Sequence, residues 1–283
     1  MKFKKTTADV FVPDETDLEQ ALKRTTHLAI GAHQDDLEIF AYHGIAECYR
    51  SNDKHFTGVT VTDGSSSSRT GRYKDYTNQE MVDVRKLEQR KAAYTGEYSV
   101  QFQLDYPSAE IKDVNNDDSV DDLLQILSLA KPEVLYLHNP ADKHETHIAV
   151  LMKCLSAIRK LPLEDRPKVT YGCEVWRDLD WLVDSDKIHL DNSDMPNMAS
   201  SLVGLFDSQI SGGKRYDLAT DGRRLANATY FDSHSSDDVT ALNWAIDLTP
   251  VIMNDELSLK DFTLAYVDRF RNDVASHLDK YSK

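Results

Sequence analysis

The sequence predicts an α/β fold, a largely parallel sheet covered by helices. Two observations predict it. Segments rich in β-branched and aromatic residues alternate with longer segments of helical period. The two most histidine-rich stretches directly follow two of those strand-like segments, which is where an open parallel sheet places its ligands.

Residues 26–32 (THLAIGA) read as the first strand, and the polar residues 33–38 break the apolar run and lead into a helix over 37–49. A second strand follows at 56–62. After Asp63-Gly64 the stretch SSSSRTGRYKDYTNQE reads as a mobile surface loop and candidate lid, because serine and glycine support no packed element. Residues 81–96 have helical period and end at a glycine, as helix C-termini often do. Residues 100–104 are the third strand. Beyond an acidic turn at 113–122, a helix runs through Ala130 until Pro132 ends it. Residues 133–137 (EVLYL) form the fourth strand and run into HNPADKHETH, followed by an amphipathic helix over 148–161 and a fifth strand over 168–175. From Asp178 the pattern weakens, with helices expected at 197–210 and 259–278. No linker marks a second domain, so residues 1–283 are expected to form one domain, with 211–283 completing or capping it.

The 283 residues are 40% apolar, enough for a sizeable core, which argues against disorder. A formal net charge of −15 argues against nucleic acid and anionic lipid as partners. The N-terminal residues carry lysines but no apolar run after them, and no stretch of 18 apolar residues occurs, which predicts a cytoplasmic chain without a membrane partner. Cys48, Cys154 and Cys173 show no short spacing and predict buried thiols rather than disulfides or a thiolate zinc site. A homo-oligomer is left open.

His33, Asp35 and Asp36 follow the first strand, and His138, Asp142, His144 and His147 follow the fourth. Catalytic zinc takes three nitrogen or oxygen ligands and leaves a fourth position for water. His33, Asp36 and His147 supply that set, and Asp35 stands next to it, placed to take a proton from an activated water. Read singly, an Asp before a helix is usually an N-cap and a strand-end His is usually solvated. Two such groups at equivalent strand ends reverse that balance. HETHI is not the zinc-protease helix, since two residues separate its histidines where that motif needs three. His43 and His55 read as structural and His234 as exposed.

GAHQDDLE resembles the AHPDDE motif of the PIG-L/LmbE-like deacetylases, and Pro140, Asp142, His144 and His147 resemble that family's P-x-D-x-H-x-x-H motif. VTDG at 61–64, the R-x-x-E of Arg85 and Glu88, EVWR at 174–177 and the SQ of Ser208 and Gln209 occur in the family's order, so the resemblance covers about residues 26–210.

The resemblance implies a Rossmann-like fold and a zinc-dependent hydrolase that removes acyl groups, typically acetyl, from amino sugars or related glycosides. It implies His33, Asp36 and His147 as metal ligands and Asp35 as general base. His144 is implied to stabilise the oxyanion or protonate the leaving amine, and Asp142 to hold and charge His144. Zinc is the expected cofactor, although nitrogen and oxygen ligands also accept other divalent ions. Arg85 is implied to contact a small-molecule amide substrate, against a structural reading as an ion pair with Glu88 or Asp83. Trp176, Trp181 and the tyrosines of the 73–76 segment are candidates for stacking on a sugar ring. Gln34 stands where the family has proline and Leu37 where it has an acid, and the segment around Ser108 lacks an aspartate tied to sugar contacts. An amidase acting on a thiol conjugate is the chemical alternative, and a catalytically silent sugar-binding module the non-enzyme one.

Overall fold

The computed structural model describes residues 1–282. In chain order the elements are β1 (Asp9–Phe11), α1 (Leu18–Lys23), β2 (His27–Gly31), α2 (Asp36–Phe40), α3 (Tyr42–Cys48), β3 (Phe56–Thr62) and α4 (Asn78–Thr95). Then come β4 (Val100–Tyr106), α5 (Ser108–Lys112), α6 (Asp118–Ala130), β5 (Val134–His138), α7 (Glu145–Arg159) and β6 (Val169–Cys173). The chain continues through β7 (Ile188–Asp191), α8 (Pro196–Gly204), α9 (Asp207–Ile210), α10 (Tyr216–Tyr230), β8 (Leu242–Asp247), α11 (Thr249–Met253) and α12 (Leu259–Tyr281).

The strands form one mixed, eight-stranded sheet in the order β1-β4-β3-β2-β5-β6-β8-β7. β4, β3, β2, β5 and β6 run parallel, while β1 and β8 pair antiparallel with β4 and β6. From β2 the chain moves outward to β3 and β4, then returns to place β5 on the other side of β2. That reversal opens a crevice beyond the carboxyl ends of β2 and β5.

Alternate residues of the central strands feed two cores, one on each face. Leu28, Ile30, Leu135 and Leu137 join the first, and Ala29 and Tyr136 join the second. Burial on both faces is why these strands read as apolar runs and not as alternation.

The helix expected over 37–49 is broken. The carbonyls of Glu38 and Ile39, which a continuous helix would bond to residues 42 and 43, accept hydrogen bonds from the buried guanidinium of Arg224 on α10, at 2.8 and 3.0 Å. Ala41 leaves helical geometry, and α2 and α3 separate there. The helix expected over 197–210 also divides, between α8 and α9, where Phe206 turns into the core.

The serine-rich stretch is held in place rather than left loose. Arg69 Nη1 donates to the Tyr76 carbonyl at 2.8 Å, and the buried Tyr73 hydroxyl donates to Asp207 Oδ2 at 2.6 Å. The second of these anchors lies more than a hundred residues away, which no local pattern reveals. β7, α10 and β8 come from the region whose pattern was weak, and β8 lies between β6 and β7. The cysteines Cys48, Cys154 and Cys173 are buried and free. No helix among the described residues is long and apolar enough to cross a membrane.

Candidate metal centre and active site

The turn after β2 builds half of the site. Asp36 Oδ2 accepts the His33 backbone N–H at 2.7 Å, which folds residues 33–36 back on themselves. Asp35, between them, takes the left-handed conformation with φ 99° and ψ −28°. Such a backbone costs a non-glycine residue about 1–3 kcal/mol and persists only where the surroundings impose it. Asp35 lines a cavity from this conformation.

The segment after β5 supplies the rest. His147 sits in the first turn of α7 and is fully buried. Its Nδ1 lies 3.1 Å from Asp142 Oδ2, so Nδ1 carries the proton and the Nε2 lone pair is left free. That Nε2 is 3.3 Å from His33 Nδ1 and 3.5 Å from Asp36 Oδ1, and His33 Nδ1 is 3.4 Å from Asp36 Oδ2. The buried His138, at the end of β5, stacks on His147 with ring centroids 3.8 Å apart and accepts the Ala32 backbone N–H at Nε2 at 2.9 Å.

The donor set fits a divalent metal. Metal bonds of about 2.0–2.1 Å in a tetrahedral arrangement put ligand atoms roughly 3.3 Å apart. The two imidazole nitrogens here stand 3.3 Å apart, and each faces its own oxygen of the Asp36 carboxylate, Oδ2 at 3.4 Å from His33 and Oδ1 at 3.5 Å from His147. A set of two histidines and one carboxylate is among those catalytic zinc uses, and Asp142 supplies the outer carboxylate that fixes a ligating imidazole.

The ionisable groups are tuned by burial and by one another. Burial pushes the Asp35 carboxyl well up; Arg85 opposes the rise, and the charges of Asp36, Glu38 and Glu88 add to it. Burial also pushes Asp36 up, but His147 and His138 beside it win and hold it well below the usual carboxylate range. His144 is pushed down to about 4 by burial and by the neighbouring His147 and His33.

A cavity of about 570 Å³ opens over this centre, within the usual size range for small-molecule sites. His33, Asp35, Asp36, Arg85, Ser108 and His144 line it, with Ser66–Ser68 on one side and Trp176 and Tyr216 on another. α4 braces its floor. The buried Arg85 guanidinium bonds the Gln34 carbonyl and the Ser67 hydroxyl and lies 3.4 Å from Asp35 Oδ2. Glu88 does not pair with Arg85. Its carboxylate accepts the Ser208 N–H at 2.8 Å and the Ser208 hydroxyl at 2.6 Å, so the R-x-x-E and SQ motifs meet in space.

The structure therefore gathers His33, Asp35, Asp36, Arg85, Asp142, His144 and His147 around one centre, and it alters one expected partnership. Asp142 accepts the backbone N–H of His144 at 3.2 Å, but its ring partner is His147. His144 Nδ1 has no hydrogen-bond partner among the described residues. Without a carboxylate on its ring and with its basicity lowered, His144 is a neutral imidazole and not the charged one expected. The reason is local: Asp142 lies between the end of β5 and the start of α7, and the inward face of α7 presents residue 147, while 144 is its N-cap. Trp176 lines the cavity, whereas Trp181 packs edge-on against Phe270 and Tyr73 is tied to Asp207. Tyr216 was missed, because nothing in the local sequence of α10 marks it. His234 is exposed, as expected.

Comparison with known proteins gives the fold and, over part of the chain, a family domain. The chain is similar to GalB, the 4-carboxy-2-hydroxymuconate hydratase from Pseudomonas putida KT2440, at 16% identity and TM-score 0.61, covering 79% of this chain and 96% of that one. It is similar to the N,N'-diacetylchitobiose deacetylase from Pyrococcus horikoshii at 15% identity and TM-score 0.60, covering 85% and 90%. It is also similar to the A40926 pseudoaglycone deacetylase Dbv21 at 13% identity and TM-score 0.55, covering 79% and 97%. At such identities the likeness establishes a shared α/β fold. No curated protein matches the chain. The family model described as PIG-L, GlcNAc-PI de-N-acetylase, matches residues 28–158, the stretch from β2 through most of α7 that holds all three candidate metal ligands, so this chain carries a PIG-L family domain.

Proposed function

We propose that the chain is a metal-dependent hydrolase that removes an N-acetyl group from an amino sugar or related glycoside. The observation that carries this reading is the convergence of donor atoms from His33, Asp36 and His147, all within 4.8 Å of one another, beside a buried carboxylate on Asp35 at the wall of a single cavity. The PIG-L family domain and the fold shared with two deacetylases support it.

A divalent ion, zinc in our reading, held by His33, Asp36 and His147, would polarise the acetamide carbonyl and lower the pKa of water. Asp35, whose buried carboxyl favours taking a proton, accepts one from the attacking water and returns it to the departing amine as the C–N bond breaks. His144 lines the cavity as a neutral imidazole and donates a hydrogen bond to the carbonyl oxygen as charge builds there. Arg85 holds the turn that carries Asp35, and Trp176 and Tyr216 offer an apolar wall to a sugar ring.

The test is acetate release from a panel of N-acetylated amino sugars and glycosides, using zinc-loaded protein with and without chelator. Release that the chelator abolishes and added zinc restores is the expected result. The same fold serves a hydratase in GalB. Silence across the panel with one equivalent of zinc bound would overturn the acetamide reading.

A further inference from the structure

We propose that Gln89, which no motif marks, is a positioning residue that locks Asp35 in its left-handed conformation. The inference rests on the reading of Asp35 as the general base.

The strained backbone of Asp35 needs a cause outside the turn. Of the seven non-glycine residues with positive φ among the described residues, Asp35 has the largest value, 99° against 41° to 65° for the rest. Asp36 and His33 secure the ends of the turn, but neither holds the Asp35 peptide itself. Its N–H donates to Oε1 of Gln89, at 3.3 Å, from a side chain with no exposed surface.

The Gln89 amide cannot turn around. Its Nε2 donates to Glu38 Oε1 at 2.8 Å, and the same oxygen accepts the Tyr98 hydroxyl at 2.7 Å. A peptide N–H requires an oxygen facing it, and a carboxylate oxygen already accepting a hydroxyl requires a donor. Each end of the Gln89 amide therefore has one permitted identity. Glu38 and Tyr98 are buried as well, so water does not compete for these bonds.

Gln89 lies one turn beyond Arg85 on α4, and the two side chains grip opposite sides of one residue. Arg85 holds the Gln34 carbonyl and approaches the Asp35 carboxylate, while Gln89 holds the Asp35 N–H. Together they fix the direction in which the carboxylate enters the cavity. Reacting groups displaced by about 1 Å lose on the order of 100-fold in rate.

The test uses full-length, zinc-loaded protein and the variants Gln89→Met, Glu38→Met and Glu38→Gln. Gln89→Met is expected to lower kcat about 10- to 100-fold with KM within about twofold and zinc at one equivalent. Glu38→Met, which removes the acceptor orienting the amide, reproduces that loss, and Glu38→Gln, which keeps an oxygen there, recovers part of it. A second readout is independent of turnover. Backbone chemical shifts of Asp35 report its left-handed geometry in the wild type, and in Gln89→Met they move while its amide exchanges at least about tenfold faster. Unchanged Asp35 shifts, or a kcat within twofold of wild type, overturn the proposal. If the wild type releases no acetate, the Asp35 shifts and exchange still decide the positioning role, and only the assignment of the base falls.

Discussion

Asp142 shows how the ring partner expected for a carboxylate from sequence, His144, can differ from the one that packing supplies, His147. Its Oδ2 sits 3.1 Å from His147 Nδ1, and both its oxygens also accept backbone N–H groups, from His144, Trp176 and Arg177. Its chemical task is thus to fix the tautomer of His147, a proposed metal ligand. Outer-sphere carboxylates of this kind typically change metal affinity by about 10- to 100-fold. Asp142→Asn, which keeps the shape and removes the charge, should weaken zinc binding by that order. A competition titration against a chromophoric chelator measures it, and unchanged affinity would return Asp142 to the role of a backbone cap. Asp35 is the complementary case. Its acidity is legible only from burial and from the company of Asp36, Glu38 and Glu88, none of which a linear motif states.

Among the elements, α4 carries the most responsibility. Arg85, Glu88 and Gln89 leave one face of it and hold respectively the turn after β2, the N–H and hydroxyl of Ser208, and the Asp35 peptide. Its start is set by a capping box. The Thr77 hydroxyl accepts the Glu80 N–H at 3.2 Å and the Glu80 carboxylate accepts the Thr77 N–H at 2.8 Å. Thr77→Ala removes half of that exchange and should cost about 1 kcal/mol. The measurement is a lower urea midpoint at unchanged slope, and a midpoint equal to wild type would mean that tertiary packing alone defines the helix start. The sequence located this helix by its period but placed its start three residues late, since Asn78, Gln79 and Glu80 are polar and only the cap identifies them.

For the whole molecule, the mixed sheet buries titratable side chains along with its apolar ones. His27 on β2 is 8% exposed, and burial, then Lys54 and His43, hold its imidazole down at about 4. In the unfolded chain its pKa is about 6.5. Between these values the unfolded state binds the extra proton, so stability rises with pH across this window. His27 therefore contributes its full share above about pH 6.5 and loses it as pH falls toward 4. Urea midpoints measured from pH 4 to 7 should decline on the acid side, and His27→Gln should flatten that decline. An unaltered slope in the variant would assign the acid sensitivity to other groups.

The sequence by itself determined the order of the parallel strands' elements, the polar breaks after the first and fourth of them, and the residue types that can hold a divalent ion. These follow from local chemistry: apolar runs, turn residues and donor atoms are visible one segment at a time. What only the tertiary structure decided are the pairings between distant segments. Arg224 breaks the helix at Ala41, Tyr73 fastens the serine-rich stretch to Asp207, Asp142 serves His147, and Gln89 reaches Asp35. Each is a directional hydrogen bond whose partner is chosen by where the sheet and helices place it. Among groups brought together only by packing, geometry selects the partner, and linear order carries no trace of it.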